Sequence, residues 1–144
     1  MSLPSSTSSS PAGPPPSPLA LPEAWNLVSD GYTSDLAPVF EHFASAALDA
    51  VRLTKGHIVD VATGPGTLAL LAARRGLRVS ALDFAADMLG QLRERVAQAG
   101  LAGVEATQGN GMELPYGDAT FDAGFSMFGL IFFPDRARGF AELR

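Results

Sequence analysis

The segment His57–Asp83 constrains the fold more than any other part of the chain. The β-branched run Ile58–Val61 predicts a buried parallel strand, and Gly64–Gly66 break it sharply. Thr67–Arg75 carries apolar residues on one helical stripe, and Val79–Asp83 predicts a second strand that ends in an acid. The acid follows the glycines by roughly 20 residues, as in nucleotide-binding βαβ units. We therefore expect half of such a unit here.

The alternation of strands and helices continues along the chain. The pattern predicts a helix over Ala85–Ala99 that ends at Gly100, a short strand over Val104–Gln108, and a central strand over Phe121–Phe128. A last helix is expected to begin at Pro134. This order favours right-handed crossovers and a Rossmann-like, doubly wound, mainly parallel α/β sheet.

The chain before the first strand divides into two parts. Residues 1–22 are rich in Ser, Pro, Gly and Ala and predict a disordered tail, so that one domain is expected over residues 23–144. Within that domain a helix is predicted over Ser34–Leu53, with Ser34 as N-cap and Pro38 in the first turn. Its wide apolar face comprises Leu36, Val39, Phe40, Phe43, Ala47, Leu48 and Val51. We expect Trp25 and Tyr32 to be core residues rather than ligand contacts.

Composition excludes several classes of function. The 144 residues contain 15 acids, 10 bases and no long basic run, so nucleic acid is not expected as a partner. No cysteine is present, which removes thiol chemistry, disulfides and cysteine metal sites, and no metal site is expected. The apolar stretch Phe125–Phe133 is too short to insert across a membrane. The first base is Arg52, so no targeting signal is predicted and a cytoplasmic location is expected.

Four segments of the predicted sheet are expected to meet at one edge. Asp60–Gly66, Asp83, Gly109–Gly111 and Ser126–Phe128 each follow the carboxyl end of a strand. Ligands of open α/β sheets bind at that edge, where the strand order reverses. For Gly109–Gly111 we expect a turn with positive backbone angles. The sequence therefore predicts one crevice formed by four loops.

The nature of the nucleotide in that crevice is open from the residues alone. Gly64-x-Gly66-x-x-Ala69 also satisfies the dinucleotide fingerprint, which favours an NAD(P)-dependent oxidoreductase. Against it, Asp60 lies four residues before the first glycine, where its carboxylate would repel a pyrophosphate and attract a cationic group. A long helical segment also precedes the first strand. A non-catalytic domain that keeps the fold is a further alternative.

Three separated motifs resemble those of class I S-adenosylmethionine-dependent methyltransferases, in particular the small-molecule branch with the ubiquinone and menaquinone biosynthesis enzymes. Val59–Thr67 is similar to the first motif of that family, and Asp83 matches the acid at the end of its second strand. Gly109–Asp122 is similar to the stretch that leads into its fourth strand. The resemblance covers about residues 25–144 and implies the class I methyltransferase fold, S-adenosylmethionine as cofactor and a small-molecule methyl acceptor.

The resemblance also implies roles for single residues. Gly64 and Gly66 would let the backbone approach the methionyl part of the cofactor, and Asp60 would face its ammonium group. Asp83 would accept hydrogen bonds from both ribose hydroxyls. Asn110, where the family usually has an acid, and Gly111 would contact the adenine edge, whereas Ser126, Met127 and Phe128 would flank the transferring methyl group and the acceptor. The full set of expected cofactor-binding residues is Asp60, Ala62, Thr63, Gly64, Gly66, Asp83, Phe84, Asn110, Gly111, Met112, Ser126, Met127 and Phe128.

The sequence offers no catalytic base, and the resemblance predicts an incomplete sheet. His57 begins the first strand, at the wrong edge of the sheet, and His42 lies off the apolar face of its helix. Ala62 replaces the first glycine of the family's series. The family continues past the fourth strand with a helix and three further strands, so the chain is expected to be truncated. Phe121–Phe128 would then be an apolar edge open to self-association.

Overall fold

The computed structural model describes residues 17–144. They form five α-helices and four strands, and the strands make one parallel sheet in the order β3-β2-β1-β4. The helices are α1 (Pro22–Gly31), α2 (Ala37–Val51), α3 (Thr67–Arg74), α4 (Ala86–Gln98) and α5 (Arg136–Glu142). The strands are β1 (His57–Val61), β2 (Arg78–Asp83), β3 (Val104–Gln108) and β4 (Ala123–Phe125). The predicted α/β fold with a parallel sheet is confirmed.

The sheet is covered on both faces, as a parallel sheet requires. On one face Ile58, Val79 and Ala81 pack in a core with residues of α2, α3 and α4 such as Leu48 and Leu92. On the other face Val59, Val61 and Leu82 pack against a smaller set from the loop after β3, the segment before α5 and the residue that follows α5, namely Leu114, Tyr116, Phe121, Phe133 and Leu143. Alternate residues of β1 and β2 therefore serve two separate cores.

Strand register places the acidic residues at one edge. Val61 is opposite Leu82 between β1 and β2, and Asp83 is opposite Gln108 between β2 and β3. Asp60 is opposite Phe125, the last residue of β4. The loops after all four strands therefore leave the sheet at the same edge.

The region before β1 differs from the prediction. Helix α1 runs into a π-helical turn over Tyr32–Leu36, which continues directly into α2. Ser34 is therefore not an N-cap, because it lies inside this turn and its hydroxyl donates to the Gly31 carbonyl. Pro38 does lie in the first turn of α2, as predicted.

The predicted wide apolar face of α2 is wrong in extent. Only Ala37, Ala44 and Leu48 of this helix are buried, since α2 contacts the body of the domain mainly through α3. Of the other large apolar side chains of the predicted face, Phe40 is half-buried, and Leu36, Val39, Phe43 and Val51 are 40–56% exposed.

Strand β4 is shorter than predicted and is not central. Asp122 holds its beginning against β1, because its backbone N–H donates to the His57 carbonyl and its carboxylate accepts the His57 N–H. After Phe125 the chain leaves the sheet, with Phe128 in the left-handed region and a 3-10 turn over Leu130–Phe132. Within residues 17–144 no strand pairs with the outer side of β4.

The glycines after β3 differ from their predicted conformation. Neither Gly109 nor Gly111 has a positive φ. Their lack of a side chain serves close packing, because a β carbon on Gly111 would lie 2.5 Å from the Phe133 ring and one on Gly109 would lie 2.9 Å from Leu82. The expectation of positive backbone angles there is wrong, and the absence of a side chain is required most clearly at Gly111, where both Phe133 and Val61 would collide with a β carbon.

The predicted tail lies mostly outside the described residues. The described part of the tail begins at Ser17 and forms a 3-10 turn over Pro18–Ala20. Trp25 of α1 holds this turn, because its Nε1 donates a hydrogen bond to the Leu19 carbonyl at 2.9 Å. This part therefore differs from the disorder expected up to residue 22. In the stretch from residue 17 onward, no helix is long and apolar enough to cross a membrane.

Candidate functional site

A cavity of about 290 Å³ lies at the carboxyl edge of the sheet. The loop after β1 and the end of β2 supply one side, and the loops after β3 and β4 supply the other. Nine of the thirteen expected site residues line it: Ala62, Gly64, Asp83, Phe84, Asn110, Gly111, Met112, Met127 and Phe128. The remaining four, Asp60, Thr63, Gly66 and Ser126, do not contribute to its wall.

Asp83 is the acid of the cavity wall. It ends β2, and its side chain is held by two backbone N–H groups, from Gly64 to Oδ2 at 2.8 Å and from Ala85 to Oδ1 at 2.9 Å. Burial raises the pKa of this carboxyl, and the hydrogen bonds from the backbone oppose that change. Each carboxylate oxygen has two lone pairs, so each can accept one more hydrogen bond.

Asp60 is buried behind the cavity wall. It is 1% exposed, and its Oδ2 accepts a hydrogen bond from the Thr63 hydroxyl at 2.6 Å. Its Oδ1 has no hydrogen-bond partner among the described residues. The pKa of Asp60 is raised to about 7, chiefly by burial; the Thr63 hydroxyl and the Ala69 backbone oppose this change, and the nearby Asp83 carboxylate adds to it. Asp60 is therefore a buried acid with an unsatisfied oxygen rather than a solvent-facing one.

The two glycines of the first motif have different surroundings. Both have a positive φ, +56° at Gly64 and +80° at Gly66. A β carbon on Gly64 would meet nothing within 4 Å, so the open space lies on its cavity side. One on Gly66 would collide with the Leu92 side chain, so Gly66 allows α4 to pack closely against this turn.

Ala62 adopts a conformation that is unfavourable for alanine. Its φ is +56°, in the left-handed region, so the backbone here is not extended. Its methyl group lines the cavity and leaves no space for a β carbon on Gly129. The exchange of glycine for alanine at the start of the motif therefore introduces backbone strain at the cavity wall.

The expected adenine-edge residues lie together in the loop after β3. The side chain of Asn110 is exposed, and its Oδ1 accepts the Met112 backbone N–H at 2.9 Å. Gly111 is buried against Phe133 and Val61. Asn110 therefore uses one lone pair of its amide oxygen to shape the loop and keeps the other.

Of the three expected site residues after β4, two line the cavity and one has its polar atom buried in the protein. Met127 and Phe128 line the cavity, whereas the hydroxyl of Ser126 is buried without a partner among residues 17–144. Phe128 has a φ of +62° and packs against Phe40 and Phe43, with ring centroids 4.9 and 5.6 Å apart. A phenylalanine in this region of φ is strained.

Sequence reasoning did not place Trp25 and Tyr32 in the site. Both line the cavity, although they were expected in the core. Burial and the nearby Asp83 carboxylate raise the pKa of the Tyr32 hydroxyl, which is therefore a hydrogen-bond donor at neutral pH. Leu19 and Ala20 of the 3-10 turn line the cavity as well. The one signal for these residues was the aromatic content of the helical segment ahead of β1.

The structure gives the histidines no place in the cavity wall. His57 Nε2 is 2.9 Å from the Ser80 hydroxyl, at the opposite end of β1, and His42 is exposed on α2. Among the described residues, no three His, Cys, Asp or Glu side chains are grouped so that they could hold a metal ion.

Comparison with known proteins decides the family. A family model described as a methyltransferase domain matches residues 58–144, which is more than half of the chain. The chain belongs to this family. The match includes β1 to β4 and the loops at their carboxyl ends, and it gives no support to the oxidoreductase alternative.

Single relatives of this methyltransferase domain agree with the family match. Over 103 residues, 71% of the chain, it is 40% identical to a demethylmenaquinone methyltransferase of Thermobifida fusca and covers 44% of that protein. The chain is also 34% identical, over 69% of its length, to a protein of the same name from Deinococcus radiodurans, and it covers 42% of that protein. The domain therefore spans less than half the length of these curated relatives.

Solved structures show the same fold. An S-adenosylmethionine-dependent methyltransferase from Aquifex aeolicus superposes with a TM-score of 0.65 at 22% identity, over 85% of this domain and 64% of that chain. At this identity the likeness shows the fold alone.

Proposed function

We propose that this methyltransferase domain binds S-adenosylmethionine in the cavity at the carboxyl edge of the sheet and takes part in methyl transfer to a small-molecule acceptor. The observation that carries the proposal is the Asp83 carboxylate, which lines the cavity and is fixed by the Gly64 and Ala85 N–H groups. The family match supports the same chemistry.

The residues of the cavity fit the cofactor in three respects. The Asp83 carboxylate retains an acceptor lone pair on each oxygen, which suits two neighbouring ribose hydroxyls. The open space beside Gly64 lets a ligand approach the backbone without meeting a side chain. Asp60 lies behind the wall rather than in it, so its buried, unsatisfied carboxylate would favour the methionyl ammonium through its negative charge and not through direct contact.

The role of the protein in methyl transfer is to position the methyl donor and the acceptor. When bound, the sulfonium of the cofactor supplies an electrophilic methyl group and no protein nucleophile is needed. Asp83 would orient the ribose, the loop of Asn110 and Gly111 would contact the adenine, and Met127 and Phe128 would exclude water near the reacting atoms. Thr63 would act through Asp60, because its hydroxyl fixes that carboxylate. A cytoplasmic location and the absence of a nucleic-acid partner stay predictions.

Titration calorimetry with S-adenosylhomocysteine, NAD and NADP tests the proposal. We expect S-adenosylhomocysteine to bind one molecule per chain and both dinucleotides to give no heat of binding above dilution. Tight NAD or NADP binding without a response to S-adenosylhomocysteine would overturn the proposal in favour of an oxidoreductase. A folded chain that binds none of the three would instead favour the non-catalytic alternative.

A further inference from the structure

Helix α4 supports the turn Thr63–Gly66, which we call the glycine turn, from outside the cavity. Leu92 packs against Gly66 where a β carbon would otherwise lie. Arg95, three residues further along the same face of α4, donates from Nη1 to the Pro65 carbonyl at 2.7 Å. Pro65 is fully buried and has no N–H group, so this carbonyl is its one backbone group that can form a hydrogen bond. Arg95 therefore satisfies a buried acceptor of the glycine turn.

The guanidinium contact continues through two peptide groups. The Pro65 carbonyl and the Gly66 N–H belong to one peptide group, and that N–H donates to the Thr63 carbonyl at 3.0 Å. The Thr63 carbonyl in turn shares a peptide group with the Gly64 N–H. That N–H donates to Oδ2 of Asp83 at 2.8 Å. We call this series of hydrogen bonds, from the guanidinium to the carboxylate, the turn relay.

The turn relay begins at a cation and ends at an anion. At each step an N–H donates and a carbonyl or carboxylate oxygen accepts, so the dipoles of its peptide groups have the same sense. Hydrogen bonds in such a chain polarise one another, and those with a charged partner are stronger than neutral ones. Loss of the guanidinium would therefore also weaken the hydrogen bond from Gly64 to Asp83.

The place of Arg95 is not explained by an ion pair. Its side chain is partly buried and forms no salt bridge among the described residues, whereas Arg74 and Arg75 do. Burial lowers the pKa of Arg95, the Glu41 carboxylate raises it and the Arg74 guanidinium lowers it. A buried guanidinium without a partner is unfavourable. The Pro65 carbonyl is therefore the contact that compensates its burial.

The glycine turn needs support from both sides. Gly64 and Gly66 have φ of +56° and +80°, and glycine leaves the backbone many alternatives to such a conformation. Strand β2 holds the turn on one side, where the Leu82 carbonyl accepts the Thr63 N–H at 3.0 Å. Arg95 holds it on the side of α4. The direction of the Gly64 N–H is therefore fixed by contacts and not by the turn alone.

We infer that Arg95 is a positioning residue of the cofactor site, which holds the Asp83 carboxylate for the ribose through the turn relay. Arg95 would not touch the cofactor, because it does not line the cavity. The inference rests on the proposed function, since Asp83 is there taken to bind the ribose. The relay would also fix the open backbone surface at Gly64 that the cofactor approaches.

Three variants separate the turn relay from ordinary packing of α4. Arg95→Met keeps an apolar stem without a donor, and Arg95→Lys keeps a cation with donor groups. Arg93→Met is the matched control, because Arg93 lies on the same helix and its Nη2 donates to the Ala106 carbonyl at 3.0 Å, outside the glycine turn. For each full-length variant we would measure the melting temperature and the Kd of S-adenosylhomocysteine. The amide proton resonance of Gly64 would be followed without ligand by NMR.

We expect Arg95→Met to move the Gly64 amide proton resonance upfield, because its hydrogen bond to Asp83 weakens. S-Adenosylhomocysteine should bind this variant about tenfold more weakly, the scale of one lost hydrogen bond to a charged group. Arg95→Lys should restore the resonance in part and bind within about threefold of the parent chain. Arg93→Met should change neither quantity. If Arg95→Met does not fold, Arg95→Gln, a shorter neutral side chain, takes its place with the same expectations.

The inference is overturned if Arg95→Met lowers the melting temperature but leaves the Gly64 resonance and the Kd unchanged, because Arg95 then acts on packing alone. Equal changes in Arg95→Met and Arg93→Met, or no recovery in Arg95→Lys, would also overturn it. Failure of the proposed function has a different signature. The parent chain would then not bind S-adenosylhomocysteine, while the Gly64 resonance would still distinguish Arg95→Met from Arg93→Met. That result would uphold the turn relay and overturn its assignment to a cofactor site.

Discussion

Asp60 and Asp83 are two buried acids at one edge of the sheet with different degrees of hydrogen-bond satisfaction. Asp83 has a backbone N–H on each oxygen, whereas Asp60 accepts the Thr63 hydroxyl on Oδ2 and has no partner on Oδ1 among the described residues. A buried, incompletely satisfied acid costs stability when it is ionised. A chain that keeps such a group at a cavity is consistent with a ligand that compensates its charge.

The first prediction concerns the pH dependence that Asp60 causes. Its pKa is raised from an ordinary value of 3.8 to about 7, so the folded chain holds the proton more tightly than the unfolded chain. The resulting stabilisation is fully present below about pH 4 and is lost as the pH rises through 7. Asp60→Asn, which stays neutral, should therefore melt at a higher temperature than the parent chain at pH 8.5, with a smaller difference at pH 5.

Thermal unfolding by circular dichroism between pH 5 and 8.5 measures this difference. Glu94→Gln, an exposed position in the interior of α4, is the control and should follow the parent chain at every pH. A melting temperature of Asp60→Asn that stays below that of the parent at pH 8.5 would show that the ionised acid is stabilised in a way the structure does not contain.

The second prediction concerns strain at Ala62. A non-glycine residue with φ +56° is less stable than glycine there, so Ala62→Gly should stabilise the domain by about 1 kcal/mol. In a chain of this size that raises the melting temperature by about 4 °C. Ala46→Gly, in the right-handed interior of α2, should instead lower stability by about 1 kcal/mol. Equal losses in both variants would contradict the left-handed assignment.

At the scale of elements, the strands and helices of His57–Gln108 could be predicted because each follows from local periodicity and a local terminator. Gly100 was likewise predicted to end α4, and its φ of +61° fits a residue that terminates a helix. The π-helical turn at Tyr32 could not be predicted, because Gly31 and Ser34 indicate a break between two helices, whereas the chain passes through this region as one helical run with a wider turn.

The site was predictable only in part, for a related reason. Asp83 and Gly64 are placed by strand ends, which the sequence marks. Trp25 reaches the cavity through the packing of α1 on α4, and Gly111 is needed for its contact with Phe133. These contacts join residues that are far apart in the chain, and no spacing in the sequence encodes them.

The third prediction tests the loop after β3. A β carbon on Gly111 would lie 2.5 and 2.7 Å from ring atoms of Phe133 and 2.7 Å from Val61, so Gly111→Ala should cost about 1–3 kcal/mol of unfolding free energy. Gly117→Ala, whose β carbon would have its nearest neighbour at 3.8 Å, should change it by less than about 0.5 kcal/mol. Urea denaturation of both variants measures the difference. A neutral Gly111→Ala would mean that Phe133 does not pack on this loop.

At the scale of the whole molecule, apolar surface is unevenly distributed. Leu27 is 88% exposed, Ile131 56% and Phe140 64%, and β4 has no neighbour on its outer side among residues 17–144. Large exposed apolar areas and open strand edges both favour association. The observed edge is only three residues long, and Leu143, which follows α5, packs over Gly124, so the edge of β4 is less open to another strand than the sequence predicted.

The fourth prediction is that the chain self-associates. Size-exclusion chromatography with light scattering should give a mass that rises above 15.0 kDa as concentration increases. If the exposed apolar side chains cause the association, Leu27→Asp should reduce the increase in mass with concentration. If the open edge of β4 causes it, Leu27→Asp should leave that increase unchanged. A mass of one chain across the whole series would contradict the prediction.

The fifth prediction tests the central claim most directly, namely that Asp83 holds the ribose of the methyl donor. S-Adenosylhomocysteine would be titrated by calorimetry into the parent chain, Asp83→Ala and Glu94→Ala, the last an exposed control on α4, after circular dichroism has shown that all three are folded. We predict a loss of about 1.5–3 kcal/mol for Asp83→Ala, roughly a 10- to 150-fold weaker Kd, and no change for Glu94→Ala. An unchanged Kd for a folded Asp83→Ala would contradict the account.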